Sequence, residues 1–175
     1  MTAALTEKAR HVKLLIVDVD GVLTDGGLLF DNRGEEYKRF NSLDGHGIRM
    51  LLESGIEIAV ITGRQSQIVA NRMHELGVKH LYQGQRVKLD AMQALLQTTG
   101  LEAHQVAYVG DDLPDLPVMR QVGFSIAVQN AHSFVKQHCD WVTTGLGGHG
   151  AIREISDFIL QSQGLLEARQ KAYLE

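Results

Sequence analysis

The chain has 175 residues, 44% hydrophobic and 22% charged, with a formal net charge of −4. That balance is ordinary for a globular protein, gives no electrostatic footprint for nucleic acid, and contains no run near the ~18 apolar residues of a membrane helix. Cys139 is the single cysteine, so an internal disulfide is excluded, and the eight histidines lack zinc-site spacing. One domain over residues 1–175 is expected from this length. The first residues lack the apolar centre of a signal peptide, so a soluble cytoplasmic protein is the expectation.

Residues 2–10 are polar helix formers and read as a loose lead-in without chemistry. Residues 13–24, KLLIVDVDGVLT, carry more. A short apolar run ending in turn chemistry reads as a strand buried in a parallel sheet, and Asp18 stands where it stops. Positions i and i+2 of a strand share a face, so Asp18 and Asp20 look the same way. Two close carboxylates require a divalent cation or a shared proton.

Beyond Thr24, Gly26-Gly27 and the turn Asp31-Asn32-Arg33-Gly34 frame two short runs, which predicts a hairpin insertion over about 25–40. Its apolar tip, residues 28–30, suits burial against another subunit. Residues 41–47 offer capping side chains ahead of a helix over 48–54 closed by Gly55. Strands are then expected over 56–61, 78–82, 106–109, 124–128 and 141–143, with helices over 66–76, 87–98, 115–122, 131–139 and 151–161. That alternation specifies right-handed βαβ units and an α/β fold, a three-layer sandwich around a mostly parallel Rossmann-like sheet. Residues 163–175 show no core stripe and read either as a frayed extension or as an arm that docks on a neighbour.

The strand ends share a chemistry. The first delivers Asp18 and Asp20; the second ends in Thr62-Gly63-Arg64, a hydroxyl and open amides at a helix start. Residues 84–88, GQRVK, bring Lys88 to the same rim, and 106–109 runs into Gly110-Asp111-Asp112 with Asp115 following. Alone, Thr62 would be a helix cap and Lys88 a solvated surface lysine. Together, carboxylates, a lysine, a hydroxyl and helix amides on one sheet edge describe a magnesium-dependent phosphoryl-transfer site.

DVDGVLT resembles the DxDGxxT signature of the haloacid dehalogenase superfamily of aspartate-nucleophile phosphatases, and Thr62, Lys88 and Gly110-Asp111-Asp112 follow in that family's order. NSLDGHGIR at 41–49, TGR at 62–64, YQGQRVK at 82–88 and GGHGAIRE at 147–154 are similar to its sugar-acid phosphate phosphatases. The resemblance implies Asp18 as nucleophile and Asp20 as general acid and then base, with Thr62 and Lys88 on the phosphoryl oxygens. It implies Mg²⁺ on the carboxylates of Asp18 and Asp111 and the main-chain carbonyl of Asp20. Asp112 and Asp115 are placed outside that ligand set, orienting Lys88 or a water, or else capping the short helix after Pro114. Substrate contact is expected from Asp20, Lys88, Asn41, Ser42, Leu43, Asp44, Gly45, Arg49, Arg64 and Arg72, the last two read as one face of one helix.

The space between Thr24 and Thr62 holds a hairpin and a helix but no cap domain, although a phosphatase must exclude bulk water. The resemblance implies a homotetramer in which a neighbouring subunit acts as lid over a small sugar-acid phosphate. A phosphatase for 9-phosphates of nine-carbon sugar acids is the alternative within enzymes. A non-catalytic phosphatase-like module and a receiver domain are the alternatives outside them.

Overall fold

The computed structural model describes residues 2–174. Strand β1 (Leu14–Val17) is buried at all four positions, as an apolar run inside a parallel sheet should be. The hairpin β2 (Leu29–Phe30) and β3 (Glu36–Tyr37) forms its own antiparallel pair. β4 (Glu57–Ile61), β5 (His80–Tyr82), β6 (Val106–Gly110), β7 (Phe124–Ala127) and β8 (Trp141–Val142) join β1 in one parallel sheet of order β5-β4-β1-β6-β7-β8. The chain runs outward from β1 in one direction and then returns to start β6 beside it. The crevice above the carboxyl ends of β1 and β6 is therefore the topological switch point, where open α/β sheets bind ligands.

Register aligns the strand ends. Val17 of β1 lies opposite Val60 of β4 and Val109 of β6, so the residues that follow these strands emerge at one level. The helices α1 (Ala3–Arg10), α2 (Ser42–Glu53), α3 (Gln67–Leu76), α4 (Lys88–Thr99), α5 (Leu116–Met119), α6 (Ser133–Lys136), α7 (Ala151–Ser162) and α8 (Leu166–Lys171) flank the sheet. No helix among the described residues is long and apolar enough to cross a membrane.

Three local expectations change. α2 starts at Ser42, well before residue 48, because Asn41 caps it by accepting from Leu43 N and because its glycines pack closely. A Cβ on Gly45 would strike the Arg72 guanidinium, and one on Gly47 would lie 2.8 Å from Ser156 Oγ of α7. Packing here outweighs the weak helix propensity of glycine. Residues 2–10 form a capped helix against α7 and not a loose lead-in. Of the segment from 163, whose last residue, 175, lies outside the described residues, the part through α8 is tied to its own chain: Gln163 donates to Val12 O at 2.8 Å, and Arg169 of α8 donates to Ser54 Oγ at 2.9 Å and to the Glu53 carbonyl.

Asp44 shows what holds two of these helices together. It is buried at the start of α2, and its carboxylate accepts from Gly150 N at 3.2 Å and Arg153 N at 2.9 Å. It thus satisfies open amides at the N-terminus of α7 across the α2–α7 contact. Replacing it with alanine leaves both donors, in a part-buried contact, without this partner, so Asp44→Ala should destabilise the fold by about 1–3 kcal/mol. Thermal unfolding of Asp44→Ala against Asp44→Asn, which keeps one acceptor oxygen, measures this; an unchanged Tm in the alanine variant would refute it.

Candidate active site

The Asp18–Thr24 loop leaves β1 and is folded by its own side chains. Thr24 is buried, donates to Val19 O at 3.3 Å, and accepts from Gly21 N at 3.4 Å and Gly26 N at 3.3 Å. Gly21 has φ +95°, which a side-chain-bearing residue rarely adopts, and the Asp111 carboxylate occupies the space a Cβ would need. The DxDGxxT pattern is thus a tied turn that lets a second carboxylate approach the first.

Asp18, Asp111 and Asp115 each offer an oxygen, all within 4.8 Å of one another. Lys88, the first residue of α4, reaches in and pairs with Asp18 Oδ2 at 2.9 Å and Asp115 Oδ1 at 2.7 Å. Tyr108 donates its hydroxyl to the same Asp115 oxygen at 2.5 Å. The other oxygen of Asp115 accepts from Asp111 N at 3.0 Å and Asp112 N at 3.2 Å. Asp115 is therefore fully committed to the protein. Asp18 is not, because its buried Oδ1 has no hydrogen-bond partner.

Three carboxylates against one ammonium leave the cluster with uncompensated negative charge. Burial, and then the neighbouring Asp115, push Asp18 up to about 6. Burial, and then Asp18 and Asp115, push Asp111 up to about 7. Burial opposes the Lys88 ammonium, yet Asp18 and Asp115 carry its pKa above the ordinary value. Burial and then Asp115 raise the Tyr108 hydroxyl well above its usual range, so it acts only as a donor. An unpartnered oxygen on Asp18 beside Asp111 fits a hard divalent cation, which takes oxygen ligands and offsets this repulsion.

These groups line a cleft of about 340 Å³ with Asp20, Thr62, Gly63, Arg64, Gln85, Arg86, Asp112 and Pro114. Asp20 pairs with Lys38 of the hairpin, and Arg64 Nε stands 3.7 Å from its other oxygen. Thr62 follows β4, its N–H bonded to Tyr82 O at 2.9 Å.

Within a single chain, the remaining expected contacts lie outside this cleft. Asn41, Asp44, Gly45 and Arg72 line a separate small crevice, and Arg49 another. Asn41 caps α2, Asp44 holds α7, and Arg72 pairs with Glu75 at 2.8 Å while filling the space above Gly45. Arg49 donates to Glu75 O at 3.0 Å. Ser42 and the exposed Leu43 do not line the cleft either. Arg64 precedes α3, whose cap is Ser66, so it shares no helix with Arg72. Asp112 and Asp115 also separate: Asp112 is exposed and caps the turn at Leu113–Asp115, accepting from Leu113 N at 2.8 Å, whereas Asp115 holds Lys88. Tyr108 was missed because it sits inside an apolar strand, although a buried tyrosine hydroxyl needs a partner. Lys38 was missed because a hairpin lysine reads as solvated, although it shares a strand face with Glu36.

Residues 80–153 match the model of a haloacid dehalogenase-like hydrolase family. The 3-deoxy-D-manno-octulosonate 8-phosphate phosphatase of Escherichia coli K12 is 50% identical over 167 residues, 95% of this chain and 89% of that protein. A solved structure of the Yersinia pestis 3-deoxy-D-manno-octulosonate 8-phosphate phosphatase has a TM-score of 0.95 at 48% identity, covering 95% of this chain and 90% of that one. The Moraxella catarrhalis enzyme, solved in complex with a magnesium ion, a phosphate ion and a KDO molecule, has a TM-score of 0.97 at 42% identity, with 99% of each chain covered. With the carboxylate cluster, the strand-end threonine and the helix-borne lysine at the switch point of the same sheet, the chain belongs to the 3-deoxy-D-manno-octulosonate 8-phosphate phosphatases of the haloacid dehalogenase-like hydrolases.

Proposed function

We propose that this chain hydrolyses 3-deoxy-D-manno-octulosonate 8-phosphate to the free sugar acid and phosphate, through an aspartyl-phosphate on Asp18, in the cytoplasmic supply of lipopolysaccharide precursor. The observation that carries the reading is Asp18 itself: one oxygen held by Lys88, the other buried and unpartnered, at the floor of the cleft. A carboxylate so held is aimed, and its free rotation is already lost before substrate arrives. A relative named for this activity, 50% identical over 95% of this chain and 89% of its own, supports the substrate.

In the first step an Asp18 oxygen forms a bond to phosphorus as the bond to the sugar oxygen breaks, and Asp20 gives that oxygen a proton. In the second, Asp20 takes a proton from water as the water oxygen attacks phosphorus and Asp18 leaves. Lys88 and the Thr62 hydroxyl hold phosphoryl oxygens on which charge builds during transfer. Asp115 and Tyr108 keep Lys88 extended across the cleft. Mg²⁺ would be held by the carboxylates of Asp18 and Asp111 and the main-chain carbonyl of Asp20, and would supply the positive charge that lets two anions, nucleophile and phosphate, approach. Arg64 and Arg86 at the rim offer planar forks for the sugar carboxylate.

The chain works as one domain, in which the described residues place a six-stranded sheet and its buried core behind the cleft. The hairpin leaves Leu28, Leu29, Phe30 and Tyr37 at least half exposed, a concentrated apolar patch that a monomer would hold in water. A homotetramer that buries these hairpins and brings a neighbouring subunit over the cleft supplies the lid that the chain lacks. A monomeric mass by sedimentation would defeat that assembly.

Phosphate release from the 8-phosphate should require Mg²⁺, vanish in Asp18→Asn and fall by about 10²–10⁴-fold in Asp20→Asn. Metal-independent turnover, or an active Asp18→Asn, would sink the mechanism; faster turnover of a nine-carbon 9-phosphate would move the substrate. The site also predicts a pH signature. Asp18 and Asp111 titrate near 6 and 7 against an ordinary 3.8, so the metal-free folded chain binds more protons than the unfolded one across that window. Their contribution to stability therefore falls as pH rises from about 4 to 7, and a cation that displaces those protons should raise Tm more at about pH 8 than at about pH 5.5. Thermal unfolding with and without Mg²⁺ across pH measures this, and a stabilisation independent of pH would contradict it.

A further inference from the structure

The hairpin has two faces. Tyr37 points outward and is half exposed, while Lys38 and Glu36 on either side of it turn toward the body of the protein. The Lys38 side chain is only 2% exposed and lies between two carboxylates, donating to Asp20 Oδ1 and standing 3.3 Å from Glu36. A lysine buried so fully persists only when its charge is partnered. Glu36 is itself fixed, accepting from Ser66 Oγ at 2.7 Å and from Arg64 at 2.9 Å. Arg64 in turn lies 5.9 Å over the ring of Phe30, the cross-strand partner of Glu36. The inner face of the hairpin is thus bolted to both loops that flank the cleft.

This arrangement divides the two oxygens of Asp20. Oδ1 is held by Lys38, whereas Oδ2 has Arg64 Nε at 3.7 Å, beyond hydrogen-bond reach. We infer that Lys38 is a positioning residue for Asp20: by holding Oδ1 from the hairpin, it turns Oδ2 toward the leaving oxygen of the bound phosphate ester. The inference rests on the phosphatase reading and deepens it. In the first step the proton leaves Oδ2 for the sugar oxygen as the phosphorus–oxygen bond electrons move onto that oxygen. In the second, Oδ2 accepts a proton from the attacking water. Asp20 keeps Oδ1 on Lys38 throughout, so one rotamer serves both directions of transfer.

A leaving group that is stable as an anion needs no proton, and this separates positioning from simple support of the fold. Full-length wild-type, Lys38→Met and Lys38→Arg proteins are assayed with Mg²⁺ on 3-deoxy-D-manno-octulosonate 8-phosphate, whose leaving group is an alkoxide, and on p-nitrophenyl phosphate. Lys38→Met should lower kcat on the sugar ester at least about 10-fold more than on the aryl ester, with KM for the sugar ester little changed and part of kcat restored in Lys38→Arg. Equal losses on both esters, or a loss confined to KM, would overturn the inference and leave Lys38 a structural clamp. Should Lys38→Met miss the wild-type melting temperature or sedimentation mass, Glu36→Gln carries the test, since it loosens Lys38 without removing it; the same leaving-group selectivity is expected, and its absence overturns the inference. A wild type inactive on both esters would defeat the phosphatase reading and the inference with it, whereas an active wild type with unselective variants defeats the inference alone.

Discussion

An ammonium buried between two carboxylates is the constraint on which the rest of the site depends. Lys88 spans Asp18 and Asp115 at 2.9 and 2.7 Å, and the three side chains are almost wholly withdrawn from water. Breaking a buried pair of this kind typically costs 3–5 kcal/mol, because the remaining charge loses its partner without regaining solvent. Lysine is a compact point charge on a flexible stem, so something must fix its end point. Asp115 does this, and Tyr108 and the amides of Asp111 and Asp112 fix Asp115 in turn. The Asp18 carboxylate is thereby aimed by a chain of contacts that begins in the interior of β6.

That chain of contacts is possible because of where the sheet stops. β1, β4 and β6 end at one level, and each hands its next residues to a loop or helix start. Gly110 closes β6, and a Cβ there would lie 2.5 Å from the Asp115 carboxylate, so the residue that orients Lys88 sits directly against the strand end. Gly21 does the same for Asp111 on the other side. Two missing side chains let three carboxylates gather closer than their mutual repulsion favours. The raised proton affinities of Asp18 and Asp111 are the direct electrostatic consequence.

The sequence made this part of the molecule legible because strand ends announce themselves: an apolar run stops, and the next residues are Asp18, Thr62 or Asp111. The helix that follows β5 likewise starts on Lys88. Other contacts are not announced in this way, since they depend on packing between elements remote in the chain. Asp44 and Arg72 carry the residue types of a sugar-acid site, yet Asp44 satisfies the start of α7, more than a hundred residues away, and Arg72 fills the gap above a helical glycine. Nothing local distinguishes a carboxylate that binds ligand from one that caps a distant helix. α8 was opaque for the same reason, because it is anchored through Arg169 to the end of α2 and not by an apolar stripe.

The hairpin joins these two kinds of legibility. Its turn was readable: Asp31 accepts from Arg33 N at 2.8 Å and Glu35 N at 2.9 Å, an arrangement that aspartate favours. That turn fixes the register Phe30 to Glu36 and Leu29 to Tyr37. In a strand, a slip of one residue exchanges the faces, and here it would turn Tyr37 inward and Lys38 out to solvent. The same register that leaves the apolar outer face exposed therefore delivers the cation to Asp20. The exposed apolar face and the Lys38–Asp20 contact are thus set by one turn, so contacts made on the outer face of the hairpin would stabilise the strand that holds Asp20 in place.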